Sequence, residues 1–169
     1  KLDDKYKQTI TDITHKMGKG MGDFQDRDMR NGTETIEEYN LYCHYVAGLV
    51  GHGLSDLVVQ GGFEEKTVSE DRSTANLMGL MLQKTNITRD YLEDMVEGRS
   101  FWPKEIWGKH VPEGKQLDWF GKNPSDINSI NCLDAMIFDA MKCVPACLTY
   151  LSRLKTPQVF RFCAIPQVM

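Results

Sequence analysis

Apolar residues in this chain return every three or four positions, and nowhere does an alternating apolar and polar pattern persist for more than a few residues. A period near 3.6 commits a segment to an amphipathic helix, because only in a helix do side chains at that spacing share one face. The fold class is therefore all-α. Leu2, Tyr6, Ile10, Ile13 and Met17 mark a first helix, interrupted by Gly18, Gly20 and Gly22, and the polar residues 23–33 read as a connection. Thr35 and Glu38 form a capping box for a helix over 36–59, which Gly61 and Gly62 close. Ser69 caps a third helix over 70–97, the longest uninterrupted periodic segment, stopped by Gly98. Pro103 opens a short helix through Lys109, residues 111–124 form a loop, and Ser125 caps a helix over 126–154 that bends at Pro145, which lacks an amide proton. Helices of this length predict a bundle around a central cavity.

At 169 residues the chain is one domain long and able to bury a core without disulfides or a structural metal. Its 20 basic and 24 acidic residues are scattered, net charge -4, with no run of Lys or Arg, which argues against nucleic acid as a partner. The five cysteines are odd in number, lack CxxC spacing and lie mostly in apolar stretches, as free thiols in a reducing compartment do. The sequons at Asn31 and Asn86 read as chance matches, the second because it falls within a helix among candidate ligands. No stretch has the ~18 apolar residues of a membrane span. The chain starts at Lys1 and closes on an apolar run to Met169, so it is expected to be the central part of a larger domain, incomplete at both ends.

On the third helix Asn76, Gly79, Gln83, Asn86, Asp90, Glu93, Asp94 and Glu97 fall within an arc of about 100°. Leu77, Leu80, Met81, Tyr91, Leu92 and Met95 take the packed side. A wet amphipathic face is one account of the stripe. Yet the stripe holds no Lys or Arg, and its acids repel one another at one-turn spacing, so a positive partner is expected. Hard carboxylate oxygens at that spacing suit Mg²⁺, which keeps waters and bridges carboxylates to phosphates. Gln83 and Asn86 would then face the substrate. Arg89, just off the stripe, either pairs within the helix or meets a phosphate.

The run from Tyr42 to Leu54 holds Gly48, Gly51 and Gly53 in a helical context, each costing ~1 kcal/mol against alanine. Close approach of another helix, or of a long flat ligand, explains them, and helix packing is the simpler account. Tyr42, Val46, Leu49, Val50 and Gly53 would share a face, an apolar wall ending in a phenol. Tyr42 reads as an acid, base or cation-stabilising group, or as a buried tyrosine with a satisfied hydroxyl. His44 and His52 are too far apart in sequence for a paired metal site and read as structural.

Five segments in order carry a resemblance: YCHYVAGLVG from Tyr42, LQKTNITRDYLED from Leu82, GRSFWPKEIW from Gly98, LTYLSRL from Leu148 and FCAIPQVM from Phe162. They resemble the squalene synthases of the squalene/phytoene synthase family. The resemblance implies the isoprenoid synthase helical bundle and a transferase reaction in two halves. Two farnesyl diphosphates condense head to head to presqualene diphosphate, and an NADPH-dependent reduction then gives squalene. It implies Asp90, Glu93 and Asp94 as Mg²⁺ ligands and Gln83 and Asn86 as substrate-binding neighbours. Tyr42 matches the tyrosine of the first half-reaction, and Arg89 an arginine that binds cofactor phosphate. Val50, Leu54, Met78, Gly79, Phe162, Cys163 and Pro166 match positions lining the hydrocarbon cavity, where the Phe162 ring would steady a carbocation. The family's upstream aspartate-rich motif finds no counterpart here, since Asp23, Asp26 and Asp28 stand in the wrong context. The 169 residues alone are therefore expected to be inactive. The resemblance also implies a monomer on the cytosolic face of the endoplasmic reticulum membrane, held by a C-terminal anchor outside this chain. A phytoene synthase-like prenyltransferase without NADPH and a non-catalytic prenyl-diphosphate-binding homologue are the alternatives.

Overall fold

The computed structural model describes residues 2–168; Lys1 and Met169, the last residue of the FCAIPQVM segment, lie outside the described residues. As the periodicity predicts, the described residues are helical, with no strand among them. Helix α1 (Asp4–Gln25) runs unbroken through Gly18, Gly20 and Gly22, where an interruption was expected. Gly20 is buried beneath the Tyr45 ring, and a Cβ there would overlap that ring, so the glycine permits contact rather than ending the helix.

Helices α2 (Ile36–Cys43) and α3 (Leu49–Gln60) are joined by a π turn, His44–Gly48, in which the Leu49 N–H donates to the His44 carbonyl. The Thr35 hydroxyl accepts from the Glu38 N–H at 3.1 Å, as a cap should. The Glu38 carboxylate accepts from the Glu34 N–H at 3.0 Å, so the box closes one residue earlier than drawn from sequence. Gly62, at φ 73°, supplies the left-handed turn after α3.

The single helix expected over 70–97 is two, α5 (Arg72–Arg89) and α6 (Tyr91–Val96), preceded by the short α4 (Lys66–Glu70). Ser69 lies inside α4, and Asp71 is the real cap of α5, its carboxylate accepting from the Thr74 N–H at 3.0 Å. Asp90, at ψ 8°, separates α5 from α6 by one residue. Pro103 precedes α7 (Lys104–Trp107), and α8 (Asp118–Lys122) occupies part of the expected loop because burial of Phe120 and Leu117 holds that turn in place. Asp126 rather than Ser125 caps α9 (Ile127–Met141), accepting from the Asn128 N–H at 2.8 Å. The expected bend is a break: α10 (Val144–Arg153) begins afresh with Pro145 in its first turn, where a missing N–H is harmless. Helix α11 (Pro157–Val168) carries the last family segment. Its entry is capped from a distance, the buried Glu64 carboxylate accepting from the Lys155 and Thr156 N–H groups at 2.9 Å each.

Helix α5 is the axis of the molecule, packed on the π turn, α3, α9 and α10. Its crossing with the π turn and α3 explains the glycines. A Cβ on Gly48, Gly51 or Gly79 would overlap, in that order, Asn76 Oδ1, the Ala75 carbonyl oxygen and the Ala47 carbonyl oxygen. Close helix packing is thus the account that holds. Lys84 of α5 is buried against Asp139 of α9 at 2.6 Å, and all five cysteines are buried free thiols. No helix among the described residues is long and apolar enough to cross a membrane.

Candidate active site

Two cavities lie along α5. The first, about 270 Å³, is polar and is lined by Tyr42, Gln83, Asn86, Ile87, Asp90, Asp94, Arg99 and Phe101. The second, about 340 Å³, is apolar, with Val50 and Leu54 of α3, Met78 and Gly79 of α5, and Phe162, Cys163 and Pro166 of α11 in its wall. Gln83 and Asn86 line both, so the carboxylates open onto the apolar space through a pair of amides. A third, wider cavity of about 690 Å³ under α1 shares Tyr42, Arg99 and Phe101 with the acidic one.

The π turn arranges this. An extra residue in one helical turn rotates the preceding helix against its continuation. Tyr42 therefore shares one side of the helix with Val50 and Leu54, the phenol at the acidic cavity and the two apolar side chains at the neighbouring one, while Gly53 turns onto Ile13 of α1. The apolar wall drawn from Tyr42 to Gly53 keeps Val50, loses Gly53 and gains Leu54, because the wheel that drew it assumed 3.6 residues per turn throughout. Tyr42 stacks on Phe101 with centroids 4.3 Å apart and rings 15° from parallel, and Phe24 meets its edge at 5.3 Å. Burial pushes its phenol up to about 12, helped by Cys43 and Asp94 and opposed by Arg99.

The positive partners of the acidic stripe are two arginines. Arg89 grips Asp90 with both prongs, Nε at 2.6 Å and Nη2 at 2.9 Å, and that hydrogen bonding holds the Asp90 carboxyl below its ordinary range. Arg99 donates Nε to Asp94 at 3.1 Å and Nη2 to Glu97 at 2.9 Å. Glu93 is exposed and lines neither cavity, since the break at Asp90 turns it outward. Leu92, expected on the packed side, is 55% exposed for the same reason. Among the described residues no three His, Cys, Asp or Glu side chains are grouped to hold a metal ion. Two carboxylates do converge on the acidic cavity, which fits a Mg²⁺ completed by waters and phosphate oxygens. His44 and His52 lie with rings 5.7 Å apart, nearer than their spacing suggested, but His44 binds Asn76 Oδ1 at 2.6 Å and His52 the Arg72 carbonyl at 3.0 Å.

Comparison with known proteins places the chain among its relatives. The sequence profile of the squalene/phytoene synthase family matches residues 1–169. The chain belongs to that family. Squalene synthase of Rattus norvegicus is 51% identical over 99% of the chain, and that of Homo sapiens 50% over 99%. Squalene synthase of Saccharomyces cerevisiae is 45% identical over the whole chain. A solved ligand complex of TcSQS superposes with a TM-score of 0.91 at 46% identity, over 99% of this chain and 48% of that one. The chain spans 39% of the length of the Rattus norvegicus and Homo sapiens relatives and 38% of the Saccharomyces cerevisiae one.

All seven residues that the family resemblance assigned to the hydrocarbon cavity line one apolar space, and Tyr42, Gln83, Asn86, Asp90 and Asp94 line the acidic one beside it. Arg89 stands apart: besides pairing with Asp90 it lines a separate pocket of about 200 Å³ with Trp102 and Phe120. Two residues of the acidic cavity, Arg99 and Phe101, had no role in the sequence reading although they belong to the GRSFWPKEIW segment. An arginine immediately after the Gly98 helix stop, where the Arg99 N–H returns to the Asp94 carbonyl at 3.0 Å, was the available signal.

Proposed function

We propose that this chain is the part of a squalene synthase that binds a prenyl diphosphate, with the diphosphate in the acidic cavity and the hydrocarbon tail in the apolar one. The observation that carries the reading is the junction of the two cavities at Gln83 and Asn86, which matches a ligand charged at one end and apolar along its length. The natural polypeptide joins two farnesyl diphosphates head to head, with loss of one diphosphate and a proton, to give presqualene diphosphate. Loss of the second diphosphate and hydride transfer then yield squalene.

Asp90 and Asp94 would hold Mg²⁺ and Arg89 a phosphate of NADPH; bound, the one neutralises departing diphosphate charge and the other supplies the hydride. Glu93 enters the metal site only by turning inward, so we assign the first two carboxylates the larger share. Tyr42, kept protonated by its raised pKa, donates a hydrogen bond to the departing diphosphate near the mouth of the cavity. The Phe162 ring, on the apolar wall, steadies positive charge in the rearranging hydrocarbon. Gln83 and Asn86 orient the carbon that joins tail to diphosphate. The same reading makes the enzyme a monomer on the cytosolic face of the endoplasmic reticulum membrane, held by a C-terminal anchor.

The test is product analysis on the natural polypeptide that carries these residues, given farnesyl diphosphate and Mg²⁺. Squalene is expected only with NADPH present, and presqualene diphosphate without it. Hydrocarbon formed equally with and without NADPH would overturn the assignment, as would full activity in Asp90→Asn. The 169 residues by themselves are expected to give no product.

A further inference from the structure

We propose that Arg99 is a further substrate-binding residue, whose guanidinium takes a diphosphate oxygen once a divalent cation has displaced it from Asp94. The inference rests on the diphosphate reading above. Among the described residues Arg99 is the one basic side chain lining the acidic cavity, and it also lines the wider cavity under α1, in both places beside Tyr42 and Phe101. Its hold on each acid is single, Nε on Asp94 and Nη2 on Glu97, whereas Arg89 grips Asp90 with two prongs.

The Arg99 side chain is 55% exposed, so water takes up the donors it withdraws, while Asp94, 14% exposed, needs a replacement charge, which the cation supplies. The backbone beneath stays fixed, because the Arg99 N–H is bonded to the Asp94 carbonyl and the Ser100 N–H to the Met29 carbonyl at 2.7 Å. Only the side chain has to move. A diphosphate alone meets Asp90 and Asp94 and is repelled. A divalent cation on those two carboxylates removes the repulsion and competes with Arg99 for Asp94. The freed guanidinium then stands beside the cation and the Tyr42 hydroxyl, with planar donors suited to phosphate oxygens. Cation and anion thus bind in linked fashion, with Arg99 exchanged between them.

The experiment uses the natural polypeptide, inorganic pyrophosphate as anion and Mg²⁺ or Mn²⁺ as cation, with affinities from calorimetry and from the Mn²⁺ electron spin signal. In Arg99→Gln, pyrophosphate binding at saturating Mg²⁺ is expected to weaken about tenfold or more, the loss of one charge-assisted contact. Mn²⁺ alone is expected to bind several-fold tighter, because Asp94 no longer has a competing guanidinium. A merely structural arginine would not shift the two affinities in opposite directions. Arg99→Lys keeps the charge without the fork and should recover part of the pyrophosphate affinity, and it carries the test if Arg99→Gln melts early. Pyrophosphate affinity unchanged within about twofold, or both affinities falling together, would overturn the proposal. Asp90→Asn separates the two ideas: if it abolishes Mg²⁺-dependent pyrophosphate binding while Arg99→Gln leaves that binding within about twofold of the parent, the diphosphate site stands and the role of Arg99 falls. Should the parent protein fail to bind pyrophosphate with Mg²⁺, both fall.

Discussion

The buried pair of Lys84 and Asp139 fixes α5 against α9, directly behind Gln83 in sequence, so breaking it tests how the site is held. Both side chains are 5% exposed and their atoms are 2.6 Å apart. The two partners are not equivalent. Asp139 also accepts from Lys142 at 3.0 Å, whereas the Lys84 ammonium otherwise meets the Tyr39 ring, 5.2 Å from its centroid. Asp139→Asn leaves a buried ammonium without an anion and is expected to cost about 3–5 kcal/mol. Lys84→Met leaves a carboxylate that keeps one lysine, and about 1–3 kcal/mol is expected, the range for a buried group that loses part of its bonding. At ~2–4 °C per kcal/mol for a chain of this size, Asp139→Asn should melt roughly 6–20 °C lower. Urea unfolding followed by far-UV circular dichroism, with the Lys84→Met/Asp139→Asn double variant closing the cycle, measures the terms. Burial alone would raise the Asp139 carboxyl, but hydrogen bonds and charge from Lys84 and Lys142 outweigh it and hold the pKa below its ordinary value. The pair's contribution is therefore present above the ordinary carboxylate range and is lost as pH falls through the lowered value. Equal destabilisation by the two single variants, or a larger effect from Lys84→Met, would refute this account.

Gly79→Ala places a methyl against the Ala47 carbonyl where the π turn crosses α5, and should destabilise by about 1–3 kcal/mol in the same unfolding assay. Tyr42→Phe should lower turnover of the natural enzyme by about a hundredfold, the scale of one lost donor to developing charge. Because the Tyr42 phenol is pushed up to about 12, the parent's rate should show no alkaline limb from it below about pH 9, which a pH–rate profile checks. The five buried thiols should react with a thiol reagent only after denaturant is added, and Cys43, raised to about 12 by burial, should be among the slowest under native conditions.

Much of the site could be read from the chain because one helix carries it. Gln83, Asn86, Asp90 and Asp94 reach a common cavity by helical spacing alone, and the family segments supplied the residues of α3 and α11 that meet it. What escaped depends on contacts between distant segments. Helix α11 opens with Thr156 and Pro157, a local start signal that Pro166 inside the helix obscured, and part of its cap comes from the distant Glu64. Helix α8 is a turn held by the burial of Phe120. Glu93 was misplaced because a wheel cannot register the one-residue break at Asp90. Arg99 and Phe101 reach Tyr42 only after the chain has turned at Gly98 and run back along α5.

The π turn between α2 and α3 was equally invisible to periodicity, and the site depends on it most. With 3.6 residues per turn maintained from Ile36 to Gln60, Tyr42 would stand about 80° from Val50 and about 120° from Leu54, whereas the wider turn absorbs one residue and brings the three within about 40° of one another. Removing Val46 should restore the regular i to i−4 ladder and leave Tyr42 facing as it does now relative to Val50 and Leu54, because the wider turn already absorbs one residue. Leu49, Val50 and Leu54 would keep their places, since they come after the deletion and are held by the glycine crossing with α5. The expected result is turnover within about fivefold of the parent, with helical content and Mn²⁺ affinity near those of the parent, because Asp90 and Asp94 are untouched. Turnover as low as that of Tyr42→Phe would mean that the wide turn itself, and not the alignment it gives, positions the phenol.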